Sequence, residues 1–394
     1  MIRTTLAALL ASAALAHAQP IDWEATVAAA EGQTVQFHAW AGSEGINAYI
    51  DWVAEQVAPM GVTLEHVKIS DTADTVSRVL AEKTAGQDEN GAVDLIWING
   101  ANFAAMKENG LLFGPWAEDL PHFDLVDVEG KPTTVNDFGV DVEGYEAPWD
   151  MAQLVFEHDS ESLPEPPMSI AALADWAAGN PGRFTYPQPP DYLGETFLKQ
   201  VLLSLTDSPE MFLEPATDET YEAATAPLWD YLDALHPNLW RSARAFPENE
   251  TALRQLLADG EIEIGFAYNP GGASAAIAEG ILPETVRTFV MEGGTLANTN
   301  FVAIPYNSPD KEAAMVVANF LLSPEAQARK QEGDLWGGNT VLDVAALPDD
   351  QRALFDVERG PATLSPEDLG ASLPEPHVSW SERISEEWQR RYGQ

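Results

Sequence analysis

Apolar positions change period several times along this chain, and each change marks an element. Val35, Phe37 and Ala39 alternate as a strand, and Ile46, Ile50, Val53 and Val57 then recur at helical spacing. The stretch His38-Ala39-Trp40-Ala41-Gly42-Ser43-Glu44-Gly45-Ile46-Asn47 is therefore strand, small-residue turn and helix start. The spacing predicts a second strand over 62–69, a helix over 72–85 with Val76, Val79 and Leu80 inward, and a third, apolar strand over 94–98. Asn99-Gly100-Ala101-Asn102-Phe103 turns into a short helix ending near Asn109-Gly110. Strands alternating with helices predict parallel β-α-β units.

Between 111 and 144 the pattern breaks into proline, glycine and acidic loops. It resumes with Ala147-Pro148-Trp149-Asp150 and a strand over 152–157, the first crossing into a second lobe. Helices follow over 170–178, 195–205 and 219–235, the last with Tyr221, Leu228, Leu232 and Leu235 inward; 184–187 reads as a short strand. A helix over 249–258 leads to a strand over 262–267, then Tyr268-Asn269-Pro270-Gly271-Gly272 and another helix; 286–291 is a further strand and 295–305 carries the chain back. Ser308-Pro309 and Ser323-Pro324 each read as N-cap followed by first helical residue. A loop-rich tail over 343–376 precedes a last helix over 379–392 with Trp380, Ile384 and Trp388 on one face. The expected fold class is α/β, with two lobes, two hinge crossovers and a helical C-terminal segment. Residues 19–146 with 300–394 form the first lobe and 147–299 the second, and a hinge between two lobes means a cleft that closes.

Composition removes several classes of function. Arg3 precedes an apolar run from Leu6 to Leu15 that ends in Ala16-His17-Ala18, so 1–18 reads as a signal peptide and the mature chain as exported to the periplasm. With 63 acidic residues against 20 basic ones, the surface repels nucleic acid and anionic membrane. No cysteine is present, which excludes disulfides, a lipid-modified cysteine and thiolate metal sites.

The chemistry left is recognition. His38, His66, His122, His158, His236 and His377 show no ligand spacing, Gly42-Ser43-Glu44-Gly45 does not match G-x-S-x-G, and no glycine-rich stretch matches a nucleotide loop, so no metal or cofactor is expected. What recurs is an aromatic residue beside an amide or acid in a turn: Trp40 with Glu44 and Asn47, Trp97 with Asn99 and Asn102, Trp149 with Asp150, Tyr186 with Asp191 and Tyr192, and Tyr268 with Asn269. Asn298 with Asn300 and the loop residue Trp336 complete the set. Rings supply faces for stacking or cation-π contact, while amides and carboxylates orient polar groups. Glu44, at a helix start, competes with any anion there and favours a cationic or neutral organic solute. The alternative is a secreted carbohydrate-active hydrolase using paired carboxylates.

Asn319-Phe320-Leu321-Leu322-Ser323-Pro324-Glu325-Ala326-Gln327 resembles the late helix pair of periplasmic solute-binding proteins that feed ABC importers, in the manner of extracellular solute-binding family 1. The stretches 39–52, 93–100, 185–187 and 226–232 resemble the YnjB-type subgroup across nearly the whole mature chain. The resemblance implies a type II periplasmic-binding-protein fold. It also implies a monomer that is no enzyme and that delivers a small, thiamine-like solute to the permease subunits of an ABC transporter.

Overall fold

The computed structural model describes residues 21–333, 335–365 and 367–393, so the signal-peptide reading of 1–18 lies outside the described residues. Three strands predicted by alternation are present: β1 (Thr34–Trp40), β2 (Thr63–Ile69) and β3 (Leu95–Ile98), with β1 central and parallel to both. Helix α1 (Trp23–Ala30) precedes them, and α2 (Glu44–Val57), α3 (Thr72–Thr84) and α4 (Gly100–Glu108) follow the successive strands. Ser43 and Asp71 cap α2 and α3 by accepting from backbone N–H groups. Val35, Phe37 and Ala39 meet Ile46, Ile50, Val53 and Val57 in one buried cluster, which joins strand and helix by the periodicity seen in the sequence.

The crossing segment divides into two strands, β4 (Glu146–Gln153) and β5 (Val155–Asp159), rather than the single strand expected over 152–157. β5 is the centre of a separate three-stranded antiparallel sheet with β6 (Ile264–Ala267) and β7 (Val286–Phe289). Helices α5 (Ile170–Gly179), α6 (Tyr192–Ser204), α7 (Asp218–Leu235), α8 (Glu250–Ala258) and α9 (Gly272–Ala278) surround it. Residues 184–187 form no strand, only a bridge from Phe184 to Ile264, since Pro187 has no N–H to continue a ladder.

The return strand β8 (Thr295–Ala303) runs antiparallel to both β3 and β4, and with β4 it forms the connection between the lobes. Its register with β4 shifts at Asn300/Phe301: Asn300 pairs with Asp150 and Phe301 with Pro148. Trp149 is thus the extra residue of a β-bulge, and its carbonyl is free of the ladder. A third segment, β9 (Ser372–Pro374), lies parallel to the other end of β8.

After β8 come α10 (Lys311–Leu321) and α11 (Pro324–Lys330). Ser323 caps α11 as predicted, accepting from Ala326 N–H. Ser308 does not cap α10: its hydroxyl donates to Asp94 and accepts from the N–H of Asp310, so the helix starts later. The C-terminal helix (Val378–Tyr392) buries Trp380, Ile384 and Trp388 in one cluster with Phe212, Leu228 and Phe266. The β9 strand is what carries the chain across to it.

Candidate functional site

The bulge at Trp149 organises the interior on the first-lobe side. Trp149 is fully buried, with its ring centroid 5.0 Å from both Trp97 and Trp336, and Tyr49 at 6.3 Å. Its freed carbonyl accepts from Lys330 Nζ and from Gln327 Nε2 on α11. Lys330 Nζ also donates to Gln327 Oε1 at 3.2 Å and lies 3.3 Å from Asp150 Oδ1. Asn300 donates to Asp150 at 2.8 Å and accepts from Asn99 at 2.9 Å. Burial pushes the Asp150 carboxyl up against the pull of Lys330, and pushes the Lys330 ammonium down to about 8 against the pull of Asp150. A buried ion pair of this kind survives because several hydrogen bonds hold its geometry.

A second polar interior lies where α6 meets the hinge. Lys199 is buried on α6, and its ammonium is 2.7 Å from Glu375 Oε2, just beyond β9. Tyr268 donates to the other Glu375 oxygen at 2.6 Å, and Tyr192 packs edge-on to Tyr268 at 5.5 Å. Asn298 on β8 donates to the Tyr192 hydroxyl at 2.7 Å. From the first lobe comes a tight hairpin, 136–137 with 140–141, that presents Asp137 and Phe138. Asp137 accepts from the Gly100 N–H that opens α4, at 2.6 Å. The other Asp137 oxygen, the carbonyl oxygen of the Asn298 side chain and both Glu146 oxygens are buried with no hydrogen-bond partner.

Charge in this chamber is unbalanced. Burial raises the Asp137 carboxyl well above its ordinary range, the Gly100 N–H opposes this, and Glu375 raises it further. Glu146 is raised well above its range by burial and then by Asp137, with Lys107 opposing. On α6, burial raises Glu195 to about 7 against the pull of Lys199, and it raises Asp191, which caps the helix, to about 6.

The structure gathers most of the residues flagged by sequence around these two interiors. Trp40 is half-buried and packs edge-on to Trp97 at 6.5 Å. Asn47 is buried, donates to the Ala41 carbonyl and leaves its own side-chain oxygen without a partner. Asn99, Asp150 and Asn300 form one hydrogen-bonded chain, and Tyr192, Tyr268 and Asn298 line the chamber. Asn269 donates to the Trp336 carbonyl, tying the second lobe to the first-lobe loop. Beside it, a Cβ added to Gly271 would come within 2.3 Å of the Gly337 backbone, so the two lobes touch here. Trp336 is 2 % exposed and belongs to the aromatic interior, beside Tyr49, Trp97 and Trp149. Glu44 is exposed in the first turn of α2, and its charge is felt by Glu279 at the end of α9. Asn102 sits half-buried in the first turn of α4.

Two flagged residues have local duties. Asp191 caps α6, accepting from Leu193 and Gly194 N–H. Tyr186 is wholly buried in the second-lobe core, accepting from Trp388 Nε1 at 2.8 Å and hydrogen-bonded to His236 Nε2 at 2.6 Å.

Sequence reasoning missed Lys199, Lys330, Asp137, Phe138, Glu146 and Glu375. For Lys199 a signal existed, because it interrupts the buried apolar run of α6 in a chain with only 20 basic residues. Glu375 and Asp137 lie in irregular segments with no such signal. Among the described residues, no group of three or more His, Asp or Glu is arranged to hold a metal ion, and no helix is long and apolar enough to cross a membrane.

A two-lobed α/β chain with buried polar groups gathered at its hinge has the architecture of a solute-binding protein. Residues 53–354 match the family of bacterial extracellular solute-binding proteins, and the chain belongs to that family. It is 43% identical over 373 residues to Protein YnjB of Escherichia coli (strain K12), covering 94% of each chain. Its fold is similar to that of the periplasmic binding protein AfuA from Actinobacillus pleuropneumoniae, solved with fructose-6-phosphate (TM-score 0.63, 14% identity, 91% of this chain and 98% of that one). It is equally similar to the ferric binding protein from Campylobacter jejuni (TM-score 0.63, 13% identity, 91% and 98%). The family binds solutes and is not one of enzymes, which removes the hydrolase alternative.

Proposed function

We propose that this chain captures a small cationic organic solute between its lobes, in the periplasm, and delivers it as a monomer to the permease of an ABC importer. The observation that carries the charge preference is the set of buried carboxyls Asp137, Glu146 and Glu375, of which Glu375 is paired with Lys199, beside the rings of Tyr192 and Tyr268. A cation entering there is offered buried oxygens that have no partner. A thiamine-like solute fits this chemistry, with a cationic heterocycle that can stack on aromatic faces such as Trp40 and Trp97. The lobe limits 19–146 with 300–377 and 147–299 with the C-terminal helix are part of this proposal, as is bending at β4 and β8 on capture. A thermal-shift panel of organic cations and anions at matched ionic strength tests it. Stabilisation by cations supports the reading; sub-millimolar binding of anions with no response to cations overturns it.

A further inference from the structure

The chamber is built around an ammonium group, and the ammonium it holds belongs to the protein. Lys199 Nζ lies 4.8 Å from the Phe138 ring centroid and 5.6 Å from that of Tyr192, and 2.7 Å from Glu375 Oε2. Asp137, next to Phe138, and Asn298, bonded to Tyr192, each keep one buried oxygen without a partner. Two aromatic faces, a carboxylate and spare acceptors are the elements of an alkylammonium receptor.

The parts come from separate elements: Lys199 and Tyr192 from α6, Phe138 and Asp137 from the first-lobe hairpin, and Glu375 from the segment after β9. Phe138 is held there at a cost. Its φ is +48°, at the first position of a two-residue hairpin turn whose second is Gly139 at φ +82°. Asparagine or glycine serves that position easily, whereas a bulky aromatic there is strained. Its ring lies against Gly100, where an added Cβ would approach to 3.3 Å. Backbone strain that places an aromatic face over an ammonium is the kind that binding sites retain. Tyr192 is 39 % exposed although its hydroxyl is engaged inside, so it is the wall of the cage that meets solvent.

We propose that the cage formed by Phe138, Tyr192, Glu375, Asp137 and Asn298 is the ammonium subsite for the solute, and that Lys199 is its tethered occupant, displaced when a primary alkylammonium enters. The exchange replaces one buried positive charge by another, so the cage keeps its charge balance, and the flexible lysine stem is what allows the ammonium to leave it. This inference rests on the solute-binding reading above and names the group that the site recognises.

The probe is n-butylammonium chloride, with potassium chloride at the same ionic strength as control. Lys199→Ala lowers the melting temperature by several degrees, and about 10 mM n-butylammonium restores most of the loss. The double variant Lys199→Ala, Glu375→Gln shows no such recovery. Calorimetry gives n-butylammonium at least about tenfold higher affinity for Lys199→Ala than for the native chain, because no tether competes. In the native chain, nitrogen-resolved NMR of lysine ammonium groups shows the Lys199 signal lost on titration and that of Lys330 retained. This last measurement decides the matter if Lys199→Ala does not fold. Recovery no greater than with potassium chloride, an equal response in the double variant, or retention of both signals overturns the proposal. If the native chain still binds other organic cations while these tests fail, only the subsite assignment falls.

Discussion

Two lysines are buried at the junction of the lobes, and their surroundings differ in kind. Lys330 has a backbone carbonyl, an amide oxygen and a carboxylate within reach, all fixed by α11 and by the bulge at Trp149. Lys199 has one carboxylate and two ring faces, among acceptors that have no partner. The first arrangement is over-determined and holds the hinge strands in register. The second is under-determined and exchanges what it holds. Spare capacity is not confined to the second, for Asp150 Oδ1 also lacks a hydrogen-bond partner; what differs is the number of acceptors that each ammonium reaches.

The largest expected effect separates the two lysines directly. Lys330→Ala leaves Asp150 buried beside a bare carbonyl and costs roughly 3–5 kcal/mol in urea unfolding. Lys199→Ala costs about 1–3 kcal/mol, since Tyr268 still donates to Glu375. Equal losses would erase the distinction.

A comparably large effect comes from the second-lobe core, which serves as a contrast to the chamber. Burial lowers His236 to about 4 from 6.5. Between these values the unfolded chain binds more protons, so the stabilisation is complete above pH 6.5 and is lost as pH falls towards 4. The difference amounts to about 3 kcal/mol at roughly 1.4 kcal/mol per pH unit. His236→Gln removes this part of the slope; a native-like slope in the variant would assign it elsewhere.

Smaller still, Tyr186→Phe strips partners from Trp388 and His236 and costs roughly 1–3 kcal/mol, leaving solute affinity unchanged. Tyr192→Phe costs less than about 1 kcal/mol of stability yet weakens cation binding several-fold, because its hydroxyl orients Asn298 at the chamber wall. Parallel urea and calorimetric titrations check both, and a reversed pattern would exchange the roles of core and chamber. The smallest effect is on protons: because one buried ammonium replaces another beside Asp137 and Glu146, calorimetry in buffers of different ionisation enthalpy reads little proton exchange on binding, and a full proton lost would contradict the exchange.

Much of this was legible in the chain because it rests on local rules. Alternation and helical spacing placed β1, α2, β2 and α3, and Ser323-Pro324 placed the start of α11. Where a local signal met a tertiary demand, the demand won. Ser308 bonds Asp94 across the first lobe, so its cap is lost and α10 starts at Lys311. Tyr186 and Tyr192 are separated by one turn of chain, and only the packing of the C-terminal helix makes one a core residue and the other a wall of the chamber. Trp149 and Asp150 were legible as a hinge aromatic and acid. Their partner Lys330 was not, since a bulge that frees one carbonyl has no mark in the sequence. Asp137 and Glu375 come from irregular segments far apart in the chain, and periodicity does not speak there.

The central claim is that a cation is captured between the lobes. Native mass spectrometry of the protein purified from its native cells without denaturation tests it most directly. The account predicts a retained small molecule whose mass and fragmentation identify an organic cation, released when Glu375→Gln and Asp137→Asn are combined. A retained phosphate ester, carboxylate or other anion would contradict it.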